Sequence, residues 1–169
     1  EYSISITASL AHYFLEGRRS VGLVSASGRT YKVITAERSE RQEAKILEEL
    51  AFLQAESTFT LSTLVTAQMG QLPQGSSAIL VTPTISPELL LGVDSLQRRS
   101  LRPVVVLLML QSFGTRASNE DLAKSLLERN VPVCRIYCDS DLSETLSTFY
   151  STTNLQERTW RRPVLSHLT

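Results

Sequence analysis

The chain has 169 residues with 17 basic and 17 acidic side chains, so its formal charge is zero, and 42% of its residues are hydrophobic. This length and composition predict one domain with a substantial core, and they exclude intrinsic disorder and nucleic-acid binding through bulk positive charge. The longest apolar run, from Val104 to Leu110, is far shorter than the roughly 20 residues that a transmembrane helix needs.

The first third of the chain predicts a helix, a hairpin and a second helix. Apolar residues at helical spacing predict the first helix from Ser3 to Glu16. Two β segments, Val21 to Ala26 and Thr30 to Ala36, flank a turn around Gly28 and predict an antiparallel hairpin. A long helix is expected from Ser39 to Ala55. Its buried face would hold Ile46, Leu47, Leu50 and Leu53, and its exposed face Arg41, Glu43, Lys45 and Glu49.

The rest of the chain alternates helices and strands. A short helix with Thr60 as N-cap is expected over Leu61 to Gly70. Three strands follow, at Ala78 to Thr82, Val104 to Leu110 and Val133 to Cys138. The three helices after them are expected from Ser86 to Arg99, Asn119 to Arg129 and Ser140 to Phe149. The end of the chain, Tyr150 to Thr169, is interpreted as an irregular tail that packs Trp160 on the domain or on a partner.

This alternation predicts the α/β class: a three-layer, doubly wound and mostly parallel sheet of five strands, with one antiparallel edge strand from the hairpin. Residues 1–149 would form the domain and residues 150–169 the tail. Such folds bind ligands at the carboxyl ends of their strands. The crevice should therefore be formed by the loops near residues 25–27, 58–60, 82–86 and 111–117.

The two cysteines, Cys134 and Cys138, are predicted to be free thiols. Along a strand their Cα atoms would be about 13 Å apart, beyond the limit of about 7 Å for a disulfide. The two histidines, His12 and His167, lie near opposite ends of the chain and supply no nearby metal ligand. Buried free cysteines indicate a reducing compartment.

No catalytic motif follows any predicted strand. The glycine patterns that cradle nucleotide phosphates and the nucleophile elbow G-x-S-x-G are missing from the sequence. His12 is interpreted as a helix-surface or half-buried residue rather than a base, and Asp139, the one carboxylate directly after a strand, is expected to cap the next helix. The sequence therefore predicts no enzyme. A small-molecule-binding or hydrolytic α/β domain remains an alternative because the fold would provide the crevice. The sequence places no convergent acid, base or nucleophile in that crevice.

Four segments in order carry a family resemblance: EYSISITASLAHYFLEGRRSVGLVSASG, ILEELAFLQAES, ILVTPTISPELL and RPVVVLLMLQSFG. Together they resemble the C-terminal part of a bacterial domain-of-unknown-function family whose fold is like a von Willebrand factor A domain. The resemblance covers about residues 1–146. It implies a cytoplasmic α/β domain of a larger protein anchored by N-terminal membrane helices, often made alongside a MoxR-type AAA+ ATPase.

The resemblance also implies that the domain acts by protein binding, with the ATPase as a candidate partner and no enzyme activity. The loops expected to bind the partner contain five hydroxyl residues: Thr60, Thr82, Thr84, Ser86 and Ser112. The fragment itself is not expected to span a membrane or to bind nucleic acid.

A magnesium-dependent adhesion module is the second alternative. Adhesion-competent domains of this fold hold Mg²⁺ with an Asp-x-Ser-x-Ser motif, a loop threonine and a later aspartate. Here that motif would lie before Glu1, Thr58 or Thr60 would match the threonine, and the aspartate position reads Thr82-Pro83-Thr84. We therefore expect no cofactor, with Mg²⁺ conceivable only together with upstream residues.

In the implied fold the strand carrying that motif is central, between the strands that start at Val21 and Ala78. Without it, two strand edges would lack a neighbour. Three outcomes are open: the two strands pair directly, another chain fills the place, or an upstream segment does. A homodimer is one form of the second outcome.

Overall fold

The computed structural model describes residues 1–55 and 57–160, with the side chains of residues 154–160 outside that description. Six α-helices and five strands occur in this part of the chain. The helices are α1 (Tyr2–Glu16), α2 (Gln42–Ala51), α3 (Leu61–Gln68), α4 (Glu88–Arg98), α5 (Glu120–Glu128) and α6 (Leu142–Trp160). The strands are β1 (Val21–Ser27), β2 (Thr30–Glu37), β3 (Ser77–Thr82), β4 (Arg102–Leu108) and β5 (Val133–Ile136).

The strands form two separate sheets. β3, β4 and β5 make a parallel sheet in that order, and β1 pairs only with β2 in an antiparallel hairpin. The mixed α/β class is as predicted, but the single five-stranded sheet with an antiparallel edge strand is wrong for the described residues. Direct pairing of the strands at Val21 and Ala78 is also wrong, because β1 and β3 belong to different sheets.

Helix α1 joins the two sheets. On one flank its Ile6 and Leu10 are buried with β4, β5 and α6, and Ile79 and Val81 of β3 pack against the same cluster. On the other flank its Ala11 is buried with α2, against the inner face of the hairpin. The helix therefore belongs to both cores, and the position of the hairpin depends on it.

The parallel sheet is covered by helices on both faces. Strand β4 alternates between them, with Val105 and Leu107 in a core formed with α3, α4 and α5, and Val106 and Leu108 in the core shared with α1 and α6. Burial on both faces explains the unbroken apolar sequence of this strand.

Three helical predictions need correction. Helix α2 is shorter than expected. Its Leu47 is exposed rather than buried. Its Glu49 side chain is only 13% exposed, because Glu49 pairs with Lys32 of the hairpin. The irregular tail expected from Tyr150 is wrong as far as Trp160, since α6 continues to that residue. Packing of the Trp160 side chain, and residues 161–169, lie outside the described part. Asp141 rather than Asp139 caps α6, because the helix begins farther beyond the strand.

Among the described helices, none combines the length and the apolar composition needed to cross a membrane.

Candidate functional site

A chain of hydroxyl groups follows β3 at the carboxyl edge of the parallel sheet. The buried Thr82 accepts a hydrogen bond through Oγ1 from the Thr84 N–H at 3.1 Å, and Thr84 Oγ1 accepts from the Ser86 N–H at 3.1 Å. Ser86 Oγ in turn accepts from the Glu88 N–H at 3.3 Å, at the start of α4. These three predicted site residues therefore shape their own loop by binding its backbone.

Ser112 links the next two strand ends. Its hydroxyl donates to the Met109 carbonyl at 2.7 Å and accepts from the Cys138 N–H at 2.8 Å. This ties the turn after β4 to the segment after β5, as expected for parallel strands whose carboxyl ends share one edge.

Asn119, which the sequence analysis placed only as the start of a helix, completes this edge. It is 2% exposed; its Nδ2 donates to the Leu108 carbonyl at 2.8 Å and its Oδ1 accepts from the Leu110 N–H at 3.3 Å. An asparagine before a helix usually signals a cap, so the sequence contains no separate signal for this role.

Thr58 and Thr60 lie in a different environment. Thr58 donates from both its N–H and its hydroxyl to the Gly28 carbonyl at the hairpin tip, at 2.9 and 3.3 Å. Thr60 caps α3 as predicted, because its Oγ1 accepts from the Thr63 N–H at 3.2 Å. The hydrogen bonds of these two residues thus run to the hairpin and to α3 rather than to the loop after β3.

No metal-binding constellation forms within the described residues. Nowhere in residues 1–55 and 57–153 do three or more His, Cys, Asp or Glu side chains gather closely enough to hold an ion. The two candidate ligands Thr58 and Thr60 are neutral hydroxyls already engaged with backbone groups.

The titratable residues with shifted pKa values lie away from this edge. His12 is exposed on α1, and its pKa is raised by a 2.9 Å hydrogen bond to Glu43 and by the charges of Glu16 and Glu43. This agrees with the helix-surface interpretation. A hydrogen bond from Lys32 lowers the pKa of Glu49, which also accepts from the Ser25 hydroxyl at 2.8 Å and so ties α2 to the hairpin.

Both cysteines are free, as predicted. Cys134 is buried in the core, and burial raises the pKa of its thiol to about 11, so it stays protonated and unreactive at neutral pH. Cys138 is half-buried beyond the end of β5.

The outer face of the hairpin carries exposed apolar side chains. Val24 and Val33 lie directly opposite one another there, and Tyr31 lies opposite Ala26 two residues along each strand. Val24, Tyr31 and Val33 are 37, 44 and 40% exposed. Phe59 meets Tyr31 edge-on, with ring centroids 5.5 Å apart. We call these four residues the hairpin face. In the sequence it is indicated by the alternation of the apolar Tyr31 and Val33 with the charged Lys32.

Comparison of the chain with protein-family models, with curated proteins and with solved structures finds no match.

Proposed function

We propose that this chain is a protein-binding module without catalytic activity. The observation that carries the proposal is the hairpin face, on which Val24, Tyr31 and Val33 are uncovered although the opposite side of the same two strands is buried against α1 and α2. Contiguous apolar surface of this kind is typical of protein-interaction sites. The edge-on pair of Tyr31 and Phe59 supplies aromatic side chains of the kind that anchor interfaces.

We place the binding surface on the hairpin face rather than on the loops predicted from the sequence. Thr60 lies next to the hairpin face, because Phe59, which belongs to that face, precedes it in the same loop. Thr82, Thr84 and Ser86 bind backbone groups of their own loop, and Ser112 joins the turn after β4 to the segment after β5. We therefore assign these hydroxyls to holding the carboxyl edge rather than to contacting a partner.

The partner we propose is a MoxR-type AAA+ ATPase, and the chain would act as a cytoplasmic domain of a larger membrane-anchored protein. Both points rest on the family resemblance. The contact proposed from the residues is an apolar one, consistent with the zero formal charge of the chain.

Catalysis is not proposed because the carboxylates that accept hydrogen bonds from serine hydroxyls among the described residues, Glu49 from Ser25 and Glu37 from Ser39, are each also paired with a lysine. His12, the one histidine in the described part, is paired with Glu16 and Glu43, and the hydroxyls at the carboxyl edge are bound to backbone groups.

The test is an affinity measurement between the immobilised chain and the cognate ATPase. Val33→Lys and Tyr31→Ala should each weaken binding by about tenfold or more, as expected for residues at an interface centre. The matched control is Leu91→Lys, at an exposed apolar residue of α4 outside the hairpin face, and it should leave the affinity unchanged. Equal binding by all three variants, or no binding by the unaltered chain, would refute the proposal.

A further inference from the structure

Strand β2 pairs with β1 in two different registers. Near the hairpin tip, the register is the one that places Leu23 opposite Ile34. At the open end Val21 lies opposite Glu37, one residue farther along β2 than a regular ladder would place it. One residue of β1, Gly22, therefore stands opposite two residues of β2, which is a β-bulge. The tip and the open end of the hairpin thus differ in register by one residue.

The bulge reverses which side chains of β2 face helix α2. At the open end Glu37 faces α2, where its carboxylate pairs with a lysine of that helix. Beyond the bulge Lys32 and Ile34 face α2 instead. Tyr31 and Val33 are exposed on the outside. Because neighbouring side chains of a strand point to opposite faces, a shift of one residue in register exchanges the two sets.

The apolar pattern of β2 does not favour the observed register. In that register Ile34 is the aliphatic residue packed toward α2, while Tyr31 and Val33 lie exposed. If the register of the open end continued to the tip, Tyr31 and Val33 would turn toward α2 and Ile34 would turn outward. Two apolar side chains would then be covered in place of one.

The connection between the strands can accommodate this shifted register. The pairing of Val21 with Glu37 would stay as it is, and the hairpin loop would lengthen from two residues, Gly28 and Arg29, to three by including Thr30. Three-residue loops are the next most common hairpin connections after two-residue loops. The shift therefore transfers the extra residue of the bulge to the loop, and β1 keeps its place.

Polar contacts with Glu49 hold the observed register. The Glu49 side chain is 13% exposed, and it accepts hydrogen bonds from Lys32 Nζ at 2.6 Å and from the Ser25 hydroxyl at 2.8 Å. The shifted register would turn Lys32 outward and bring apolar side chains over this carboxylate. The charge of Glu49 would lose its partner and be removed further from water, which disfavours the shifted register.

A buried glutamine of α2 holds the bulge itself. Gln42 is fully buried, and its Nε2 donates to the Val21 carbonyl at 2.7 Å and to the Thr35 carbonyl at 2.8 Å. Its Oε1 has no hydrogen-bond partner among the described residues. A buried acceptor without a partner lowers stability, so the bulged arrangement carries a penalty of its own.

We infer that the hairpin is a register switch, in which β2 exchanges between the observed register and one shifted by one residue. The observed register exposes Tyr31 and Val33, the shifted register covers them against α2, and Glu49 selects the observed one. The two registers follow from the pairing of the strands. Their effect on a partner rests on the proposed function, because the shifted register would remove Tyr31 and Val33 from the hairpin face.

Amide hydrogen exchange distinguishes the two registers residue by residue. The pair that closes a two-residue hairpin loop is hydrogen-bonded, and every second pair after it is bonded too. In the observed register the N–H groups of Lys32 and Ile34 therefore point to β1, and those of Tyr31 and Val33 point away. The shift reverses this, so the Tyr31 and Val33 amides should exchange at least about tenfold more slowly and the Lys32 and Ile34 amides correspondingly faster.

The test variant is Glu49→Leu. It removes the carboxylate and offers Tyr31 and Val33 an apolar contact, so the exchange pattern of β2 should reverse. The matched control is Lys45→Met, which breaks the other ion pair between α2 and β2. Since that pair involves Glu37, whose position on β1 is the same in both registers, the control should leave the exchange pattern unchanged.

A more conservative variant, Glu49→Gln, serves if Glu49→Leu does not fold. It removes the charge and keeps the shape of the side chain, and saturation-transfer NMR should show the shifted register as a minor state of about 1 to 10%. An unchanged exchange pattern in folded Glu49→Leu would overturn the inference. If that variant is unfolded, absence of the minor state in Glu49→Gln would overturn it.

A binding measurement separates this inference from the proposed function. Glu49→Leu should weaken binding of the cognate ATPase by about tenfold or more, and Lys45→Met should not. If the exchange pattern reverses as expected but the unaltered chain does not bind the ATPase, the proposed function fails and the register switch stands.

Discussion

Replacing Asn119 by alanine tests whether its side chain holds the carboxyl edge together. The substitution removes two hydrogen bonds, one to the Leu108 carbonyl and one from the Leu110 N–H. A buried polar group left without a partner costs about 1 to 3 kcal/mol. Leu108 is buried, but Leu110 is partly open to water, so we expect a loss of about 2 to 3 kcal/mol in the free energy of unfolding.

Urea denaturation at equilibrium measures this loss, with an unchanged m-value showing that the transition remains comparable. The control is Gln111→Ala, at an exposed residue of the neighbouring turn, and it should change stability by less than about 0.5 kcal/mol. A loss below about 1 kcal/mol for Asn119→Ala would show that water replaces the side chain, and the reasoning would be refuted.

Three further predictions concern charge and thiol chemistry. Lys32→Met should lower the free energy of unfolding only slightly at pH 7, because water screens the exposed Lys32 ammonium. Because the folded pKa of Glu49 lies below its ordinary value of 4.5, the difference from the unaltered chain in urea titrations should vanish as pH falls through that lowered pKa. His12 has a raised pKa, so its contribution should be complete below pH 6.5 and disappear as pH rises through the raised value, and His12→Gln should remove this dependence from thermal melts measured across that window. With a disulfide reagent, Cys138 should react in the native chain and Cys134 only after unfolding; fast labelling of Cys134 under native conditions would contradict its burial.

Local patterns predicted most elements of the fold. The apolar periodicity of α1, the turn at Gly28 and the unbroken apolar run of β4 each depend on residues close in sequence, and their bounds differ from the structure by a few residues. The error over α6 has a simple cause. Its sequence beyond Tyr150 is polar and carries no strong apolar stripe, so periodicity gave no reason to extend the helix.

The separation of the sheets could not be predicted in the same way. It depends on which strands pair across distant parts of the chain, and that pairing has no local signature in the sequence. The alternation in β2 predicted a strand but not which face would be covered. Lys32 turns toward α2 to pair with Glu49, and that leaves Tyr31 and Val33 on the outside.

The residues Thr82, Thr84, Ser86 and Ser112 lie at the carboxyl edge of the parallel sheet, and their role in binding a partner stays a prediction. Threonines and serines between a strand and a helix suit ligand binding and local turns equally well. In the structure Thr82 and Ser112 use their hydroxyls to bind backbone groups. The role of Asn119 depends on the path of the chain after β4 and has no local signature.

Amide chemical-shift mapping on addition of the cognate ATPase shows whether the hairpin face binds a protein partner. We expect the largest changes on Val24, Tyr31, Val33 and Phe59, with the loops at residues 82–86 and 110–113 little affected. Changes centred on those two loops with none on the hairpin face, or no change anywhere, would contradict this expectation.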